Sequence, residues 1–245
     1  MNKIYIAHIF PELLNCSGDF GNLKAIIRHL EDAGFTPEIN IISPNDNFEL
    51  SKYNLIYISG SFDYDRSDLM PALNKIRPEL EKAITNQKTI LAIDNGLVLL
   101  GKYYEDLNGR RKDCLNLLDF YAIQNKDREA NNYLFSINNI KVAGFENHSE
   151  KIYLGEKLKP LGKILVGHGN NGEDQTEGVR YQNLFGTFAG GPVLPKNPEF
   201  CELILKTMLG DQAEKLHFKA LKTEINAHNY LENRIIVHKN MSNNF

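Results

Sequence analysis

The residues best placed to do chemistry are Asp94-Asn95-Gly96, inside the stretch KTILAIDNGLVLLGK from Lys88 to Lys102. Thr89 to Ile93 is a short apolar run, the pattern of a strand buried on both faces of a parallel sheet, and Leu97, Leu99, Leu100, Tyr103 and Tyr104 follow at helical spacing. A turn passing straight from strand to helix holds its central residue strained and exposed above the carboxyl edge of the sheet, which is where α/β hydrolytic enzymes carry a nucleophile. Here that residue is Asp94, with no Ser or Cys in the turn. At the positive end of a helix its carboxylate is expected to be ionised, and a carboxylate is a weak nucleophile toward an amide. The plainer alternative is an ordinary connection in which Asp94 or Asn95 caps the helix.

The elements that must position this turn can be read on either side of it. Lys3 to Ile9 reads as a first strand, followed by a polar loop over residues 15–22 and a helix from about Leu23 to Ala33 closed by Gly34. Ile39–Ile42 and Leu55–Ile58 read as further strands, the latter leading into Ser59-Gly60-Ser61-Phe62-Asp63, and a charged helix from about Ser67 to Thr85 returns the chain to Lys88. Strands alternating with helices build a doubly wound parallel α/β sheet whose carboxyl-edge loops form the site. From Leu115 the texture changes. The segments 115–121, 132–137, 140–145, 152–154, 163–166 and 179–182 suit antiparallel strands and hairpins. Leu184 to Phe188 reads as another buried strand ending at Ala189-Gly190-Gly191-Pro192, Pro198 to Leu209 as a helix, and Asp211 to Asn240 as one long helix before a frayed tail, 241–245. Residues 1–240 are expected to form a single domain.

Bulk properties exclude several classes of function. With 28 basic against 31 acidic residues the net charge is −3, which provides no global field for nucleic acid or an anionic membrane. No apolar run is long enough to span a bilayer and the amino terminus lacks a secretory pattern, so no membrane insertion and a cytoplasmic location are expected. Three scattered cysteines, Cys16, Cys114 and Cys201, form neither a disulfide framework nor a metal knuckle. No Walker-type phosphate loop is present, so neither ATP nor any other cofactor is expected. No aromatic stripe at helical spacing suggests a stacking surface, and Tyr103 and Tyr104 are assigned to packing.

Taken in order, the strings GDFGN (18–22), AIDNG (92–96) with LLGK (99–102), LDFY (118–121), GFENH (144–148), GNN (169–171), EG (177–178), and GTF through GP and LPKN (186–197) resemble one family over most of the chain. It is the glutamine-hydrolysing subunit of lipid II isoglutaminyl synthase, within the class I glutamine amidotransferases that include the cobyric acid synthase type. The resemblance implies a flavodoxin-like α/β fold with an added antiparallel strand region. It also implies a Cys nucleophile on the elbow and a His base from the second half, releasing ammonia to an ATP-dependent, Mur-ligase-like partner in a heterodimer. In the family that partner amidates the D-glutamate of the peptidoglycan stem peptide.

Carried over by position, the nucleophile falls on Asp94 and the base on Gly190, and neither residue can play its part. The glycine-rich loop of the family reads Ser59 to Arg66 here, keeping Gly60 for substrate but carrying bulky Phe62 and Tyr64. The arginine that the family directs at the glutamine carboxylate falls on Arg128. His148 and His168 are the candidate substitute bases, with His168 otherwise a surface-loop histidine. Three functions follow: a degenerate subunit kept as scaffold or regulator of the ligase, a working glutaminase with a non-standard mechanism, or a small-ligand sensor built on the old glutamine pocket.

Overall fold

A computed structural model of the chain describes residues 3–14, 19–47, 49–60 and 69–242. Cys16, the 61–66 part of the expected substrate loop with its Phe62 and Tyr64, and residues 243–245 of the expected tail lie outside the described residues. Strands β1 (Lys3–Ile9), β2 (Thr36–Ile42), β3 (Leu55–Ile58), β4 (Thr89–Ile93), β11 (Val179–Tyr181) and β12 (Leu184–Thr187) make one six-stranded sheet in the order β11-β12-β4-β3-β1-β2. It is parallel except for the edge pairing of β11 with β12. The order 2-1-3-4 running outward from one edge is the flavodoxin-like winding. Every residue of β3, β4 and β12 is buried, as continuous apolar strands covered on both faces must be.

Helices α1 (Phe20–Asp32) and α4 (Pro198–Leu209) cover one face of this sheet, where Leu23, Ile26 and Leu30 share a core with Ile204, Leu205 and the β1 residues Ile4 and Ile6. On the other face α2 (Leu69–Thr85) brings Leu73, Ile76 and Leu80 against Ile56, Ile58 and Ile90. The expected antiparallel region is a second sheet. It contains β5 (Tyr103–Glu105), β6 (Arg111–Asp113), β7 (Phe120–Ile137), β8 (Ile140–Leu154), β9 (Gly162–Val166) and β10 (Thr176–Glu177). The four segments expected between 115 and 154 are in fact two long strands, β7 and β8, paired antiparallel across a bulge between Gln124 and Glu129. In β8 burial does alternate, but the covered positions include the polar residues Glu146, His148 and Glu150, which masks the apolar alternation on which sequence patterns rely.

Three expectations fail for local reasons. The helix after the elbow, α3 (Asn95–Val98), is a single turn, and Tyr103 and Tyr104 lie in a strand. The turn stops because residues 115–118, expected as strand, fold back onto it. The N–H groups of Leu115, Asn116 and Leu117 bond the carbonyls of Leu99, Gly101 and Leu100 at 2.9, 2.7 and 3.0 Å. The expected long terminal helix is broken: α5 (Lys222–Ser242) begins only after the chain has tucked Leu216 and Phe218 against α1. There the Phe218 ring packs tilted against His29 at 4.4 Å, and Glu224 binds both His29 Nε2 at 2.9 Å and the Leu221 N–H at 2.8 Å. Lastly, Tyr104 is core, but Tyr103 stacks in a cross-strand ladder with Tyr121 and Tyr153 at 5.2 and 5.3 Å, a stripe at sheet rather than helical spacing. Among the described residues, no helix is long and apolar enough to cross a membrane.

The turn at residues 94–96 fits its neighbours only because residue 96 is glycine. A Cβ there would lie 2.6 Å from the Ser59 carbonyl oxygen and 2.7 Å from that of Ile58, both fixed backbone atoms of the adjacent strand end. Gly96→Ala is therefore expected to destabilise the fold by about 1–3 kcal/mol, the usual cost of overpacking. Urea denaturation checks this, and a loss below about 0.5 kcal/mol would show that the elbow can retreat from β3.

Candidate functional site

Four loops converge at the carboxyl edge of the parallel sheet. After β1 comes Asp19, after β3 Gly60, after β4 Asp94, and after β12 Gly190. Asp94 has φ 50° and ψ −125°, a conformation rare for a residue with a side chain and costing about 1–3 kcal/mol. It is held from both sides. The Asp94 N–H donates to the Thr187 carbonyl at 2.8 Å, and its own carbonyl accepts from Leu97 N–H at 2.9 Å. The strand end opposite is fixed by Glu177, fully buried, whose Oε1 takes the Thr187 hydroxyl at 2.7 Å and the Phe188 N–H at 2.9 Å.

Asp94 and Gly190 do come together. They line one small cavity of about 20 Å³ with Asp19, Phe145, Asn147, Phe188 and Gly191. A Cβ at Gly190 would find only ordinary contacts, 3.6 Å from Phe145 O and 4.0 Å from Phe188 O, so no crowding demands glycine there. Gly60 faces the site through its backbone, its N–H donating to Asp19 Oδ2 at 3.1 Å. Arg128 lies at the β7–β8 bulge, exposed, with Nε bonded to Asn147 Oδ1 and Nη2 to Asn147 O, each at 2.7 Å. It therefore reaches the cavity indirectly, by fixing the orientation of a wall residue.

The two candidate histidines part company. His148 is buried, stacked on Phe188 at 3.9 Å and 12°, and its Nδ1 donates to the Glu150 carbonyl at 2.8 Å, which leaves Nε2 3.9 Å from Glu146 Oε2. Burial alone would lower the His148 imidazole, but Glu146, the Glu150 carbonyl and Asp94 outweigh it and raise its pKa. Glu146 is the counter-charge, held low against its own burial by His148 and by the N–H groups of Gly169 and His168. His168 is half-exposed, paired with Glu129 at 2.9 Å and Glu146 at 3.3 Å, and lines a separate cleft beside α5. It takes no part in the elbow cavity.

No thiol among the described residues lines the cavity; Cys201 is buried in α4, and burial raises its pKa. The Asp94 carboxyl is not held at a low pKa as a helix end would have it. Burial, together with the charges of Glu150 and Asp19 and against those of His148 and Arg128, lifts it from 3.8 to about 7. The one-turn helix offers too little dipole to oppose the loss of water. Asp19 is likewise lifted by burial, to about 6, with the Gly60 N–H working the other way. Sequence reasoning assigned no role to Asp19 or Asn147. Asp19 could have been found as the polar residue in the loop leaving the carboxyl end of β1, where open α/β sheets bind ligands.

Residues 5–198 match the model of the CobB/CobQ-like glutamine amidotransferase domain. The chain belongs to this family. Within it, two curated relatives are "Lipid II isoglutaminyl synthase (glutamine-hydrolyzing) subunit GatD" proteins. That of Streptococcus pneumoniae is 32% identical over 84% of this chain and 81% of its own length, and that of Staphylococcus aureus 30% identical over 84% of each. A glutamine amidotransferase from Thermotoga maritima shares the amidotransferase fold at TM-score 0.56 and 14% identity, covering 94% of both chains. The glutaminase domain of Trypanosoma brucei CTPS, solved with bound acivicin, superposes at TM-score 0.51 and 13% identity over 89% of this chain and 96% of that one.

The raised pKa of Asp94 sets a pH signature for this amidotransferase-family chain. Between pH about 4 and about 7 the folded state holds a proton that the unfolded chain has released, so stability falls as pH rises through that window and levels off above it. Asp94→Asn cannot ionise and is expected to remove its share of the fall, gaining on the wild type from pH 4 to pH 8. Urea midpoints of both proteins across this range measure it, and a stability difference independent of pH would contradict the assignment.

Proposed function

We propose that this chain is a non-hydrolysing glutamine amidotransferase-like subunit, a scaffold or regulator for an ATP-dependent, Mur-ligase-like partner that amidates the D-glutamate of lipid II. The observation that carries the loss of hydrolysis is Asp94: the strained elbow that presents a nucleophile holds a half-buried carboxyl with a pKa of about 7. Amide hydrolysis through a covalent intermediate needs a nucleophile, a base to take its proton and a donor for the leaving amine. Gly190, beside Asp94 in the cavity, has no side chain to serve as base, and the cavity of about 20 Å³ is far below the few hundred Å³ of sites that bind small molecules.

The lipid II role draws on the names of the two relatives, which describe a subunit of lipid II isoglutaminyl synthase. A chain that retains the surrounding framework at this level of identity, with residues 1–240 as one amidotransferase-like domain in the cytoplasm, is suited to the subunit's place beside the ligase without its chemistry. Arg128, in this reading, is a remnant of substrate recognition that now serves to hold Asn147.

Ammonia release from glutamine is expected at background rate, alone or with the ligase, since loss of the nucleophile of such an apparatus costs about 10⁴–10⁶ in rate. Turnover near ~1 s⁻¹, at the low end of ordinary enzymes, would sink the non-hydrolysing reading. Separately, co-expression with the ligase is expected to give a single heterodimer on size-exclusion chromatography. A monomer eluting beside a folded ligase would remove the scaffold role.

A further inference from the structure

We propose that the cavity between Asp19 and Asp94 is a binding site for one ammonium ion. Three observations converge on it. The first is size. A cavity needs at least about 10–15 Å³ to hold a water molecule, so about 20 Å³ admits one particle of that size and excludes an amino acid. The second is an acceptor with nothing to accept. Asp19 is 1% exposed, its Oδ2 is taken by the Gly60 N–H at 3.1 Å, and its Oδ1 lacks a partner among the described residues. A buried carboxylate oxygen left in that state costs more than an ordinary hydrogen bond contributes, so the site favours a donor.

The third is charge. Asp94 lines the same cavity and feels the Asp19 and Glu150 charges against it, offset in part by His148 and Arg128. A cation seated between Asp19 and Asp94 would neutralise the repulsion between them. The remaining wall is Phe145, Asn147, Phe188, Gly190 and Gly191, which brings no cationic side chain into the cavity. Among the described residues no group of three or more His, Cys, Asp or Glu side chains is arranged to hold a metal ion, which disfavours a divalent cation. Ammonium meets all three demands. It has the size of water, carries one positive charge, and directs four N–H donors, two of which suit the carboxylates.

This inference rests on the non-hydrolysing reading only in treating Asp94 as a ligand rather than a nucleophile, and it turns an elbow that no longer makes ammonia into one that detects it. The test is thermal unfolding of the isolated full chain at neutral pH in ammonium chloride, against sodium, potassium and tetramethylammonium chlorides at equal ionic strength. Ammonium alone is expected to raise Tm, saturably, by roughly 3–5 °C at tenfold excess over its dissociation constant. Asp94→Asn and Asp19→Asn, each close in shape to the residue replaced, are expected to fold and to lose the rise. Equal rises in sodium or potassium, no ammonium-specific rise, or a rise that survives in both variants would each overturn the proposal. Two variants keep the test sound if one fails to fold. Glutamine turnover is read separately, so activity there would end the non-hydrolysing reading without altering the ammonium result.

Discussion

The contact on which the site depends is the one between Gly96 and the carbonyl ends of β3. Because Ile58 O and Ser59 O approach so closely, the chain leaving β4 has to turn at once, and the whole distortion is concentrated in Asp94. With that close approach go the positive φ of Asp94 and the place of the Asp94 side chain in the cavity between the loops after β1 and β12. The fold thus maintains a geometry that costs stability although the residue presented there is ill suited to attack an amide.

Around this point the protein buries an unusual density of acid. Asp19, Glu146, Glu150 and Glu177 are all essentially inaccessible, and Asp94 lies between them. Three of them are treated differently. Glu146 remains ionised because an imidazole and two backbone N–H groups surround it. Glu177, pushed by burial to about 7, uses one oxygen to pin Thr187 and Phe188 at the strand end. Asp19 divides its oxygens, one for the Gly60 N–H and one without a partner among the described residues. Burial of a carboxylate is tolerable only with such partners or with a proton, and both solutions occur here within one site.

The second sheet gives the edge its depth. The bulge in the β7–β8 hairpin puts Arg128 over Asn147, while Phe145 O receives the Gly190 N–H at 3.0 Å and so ties that sheet to the loop after β12. The cavity is walled by both sheets for this reason. Beyond the family-matched residues 5–198, α5 closes the far side through Ile235 on Leu134 and Ala143, and through the buried His29–Glu224 pair to α1. These contacts are remote from Asp94. They secure the strands that carry the wall residues.

Much of this was legible in the letters alone. The buried strands Thr89–Ile93 and Leu55–Ile58 declare themselves by unbroken apolar runs, and their bounds agree with the structure, because a strand covered on both faces leaves no room for polar residues. The pairing of Asp94 with Gly190 also came from the sequence, through ordered strings that fix both positions in a known framework. What the sequence could not supply was anything decided by distant contacts. The end of α3 depends on residues 115–118 folding onto the carbonyls of Leu99, Leu100 and Gly101, and the length of β7 and β8 on a hairpin whose covered face carries Glu146, His148 and Glu150. The state of Asp94 was inverted for the same reason. Its neighbours in sequence promise a helix end and a charge, whereas burial in a narrow cavity, together with its neighbours in space, Glu150 and Asp19, keeps its pKa near neutrality. Local pattern determines which elements form, but the ionisation of a group is settled by everything packed within a few ångströms of it, and only the tertiary structure brings those groups together.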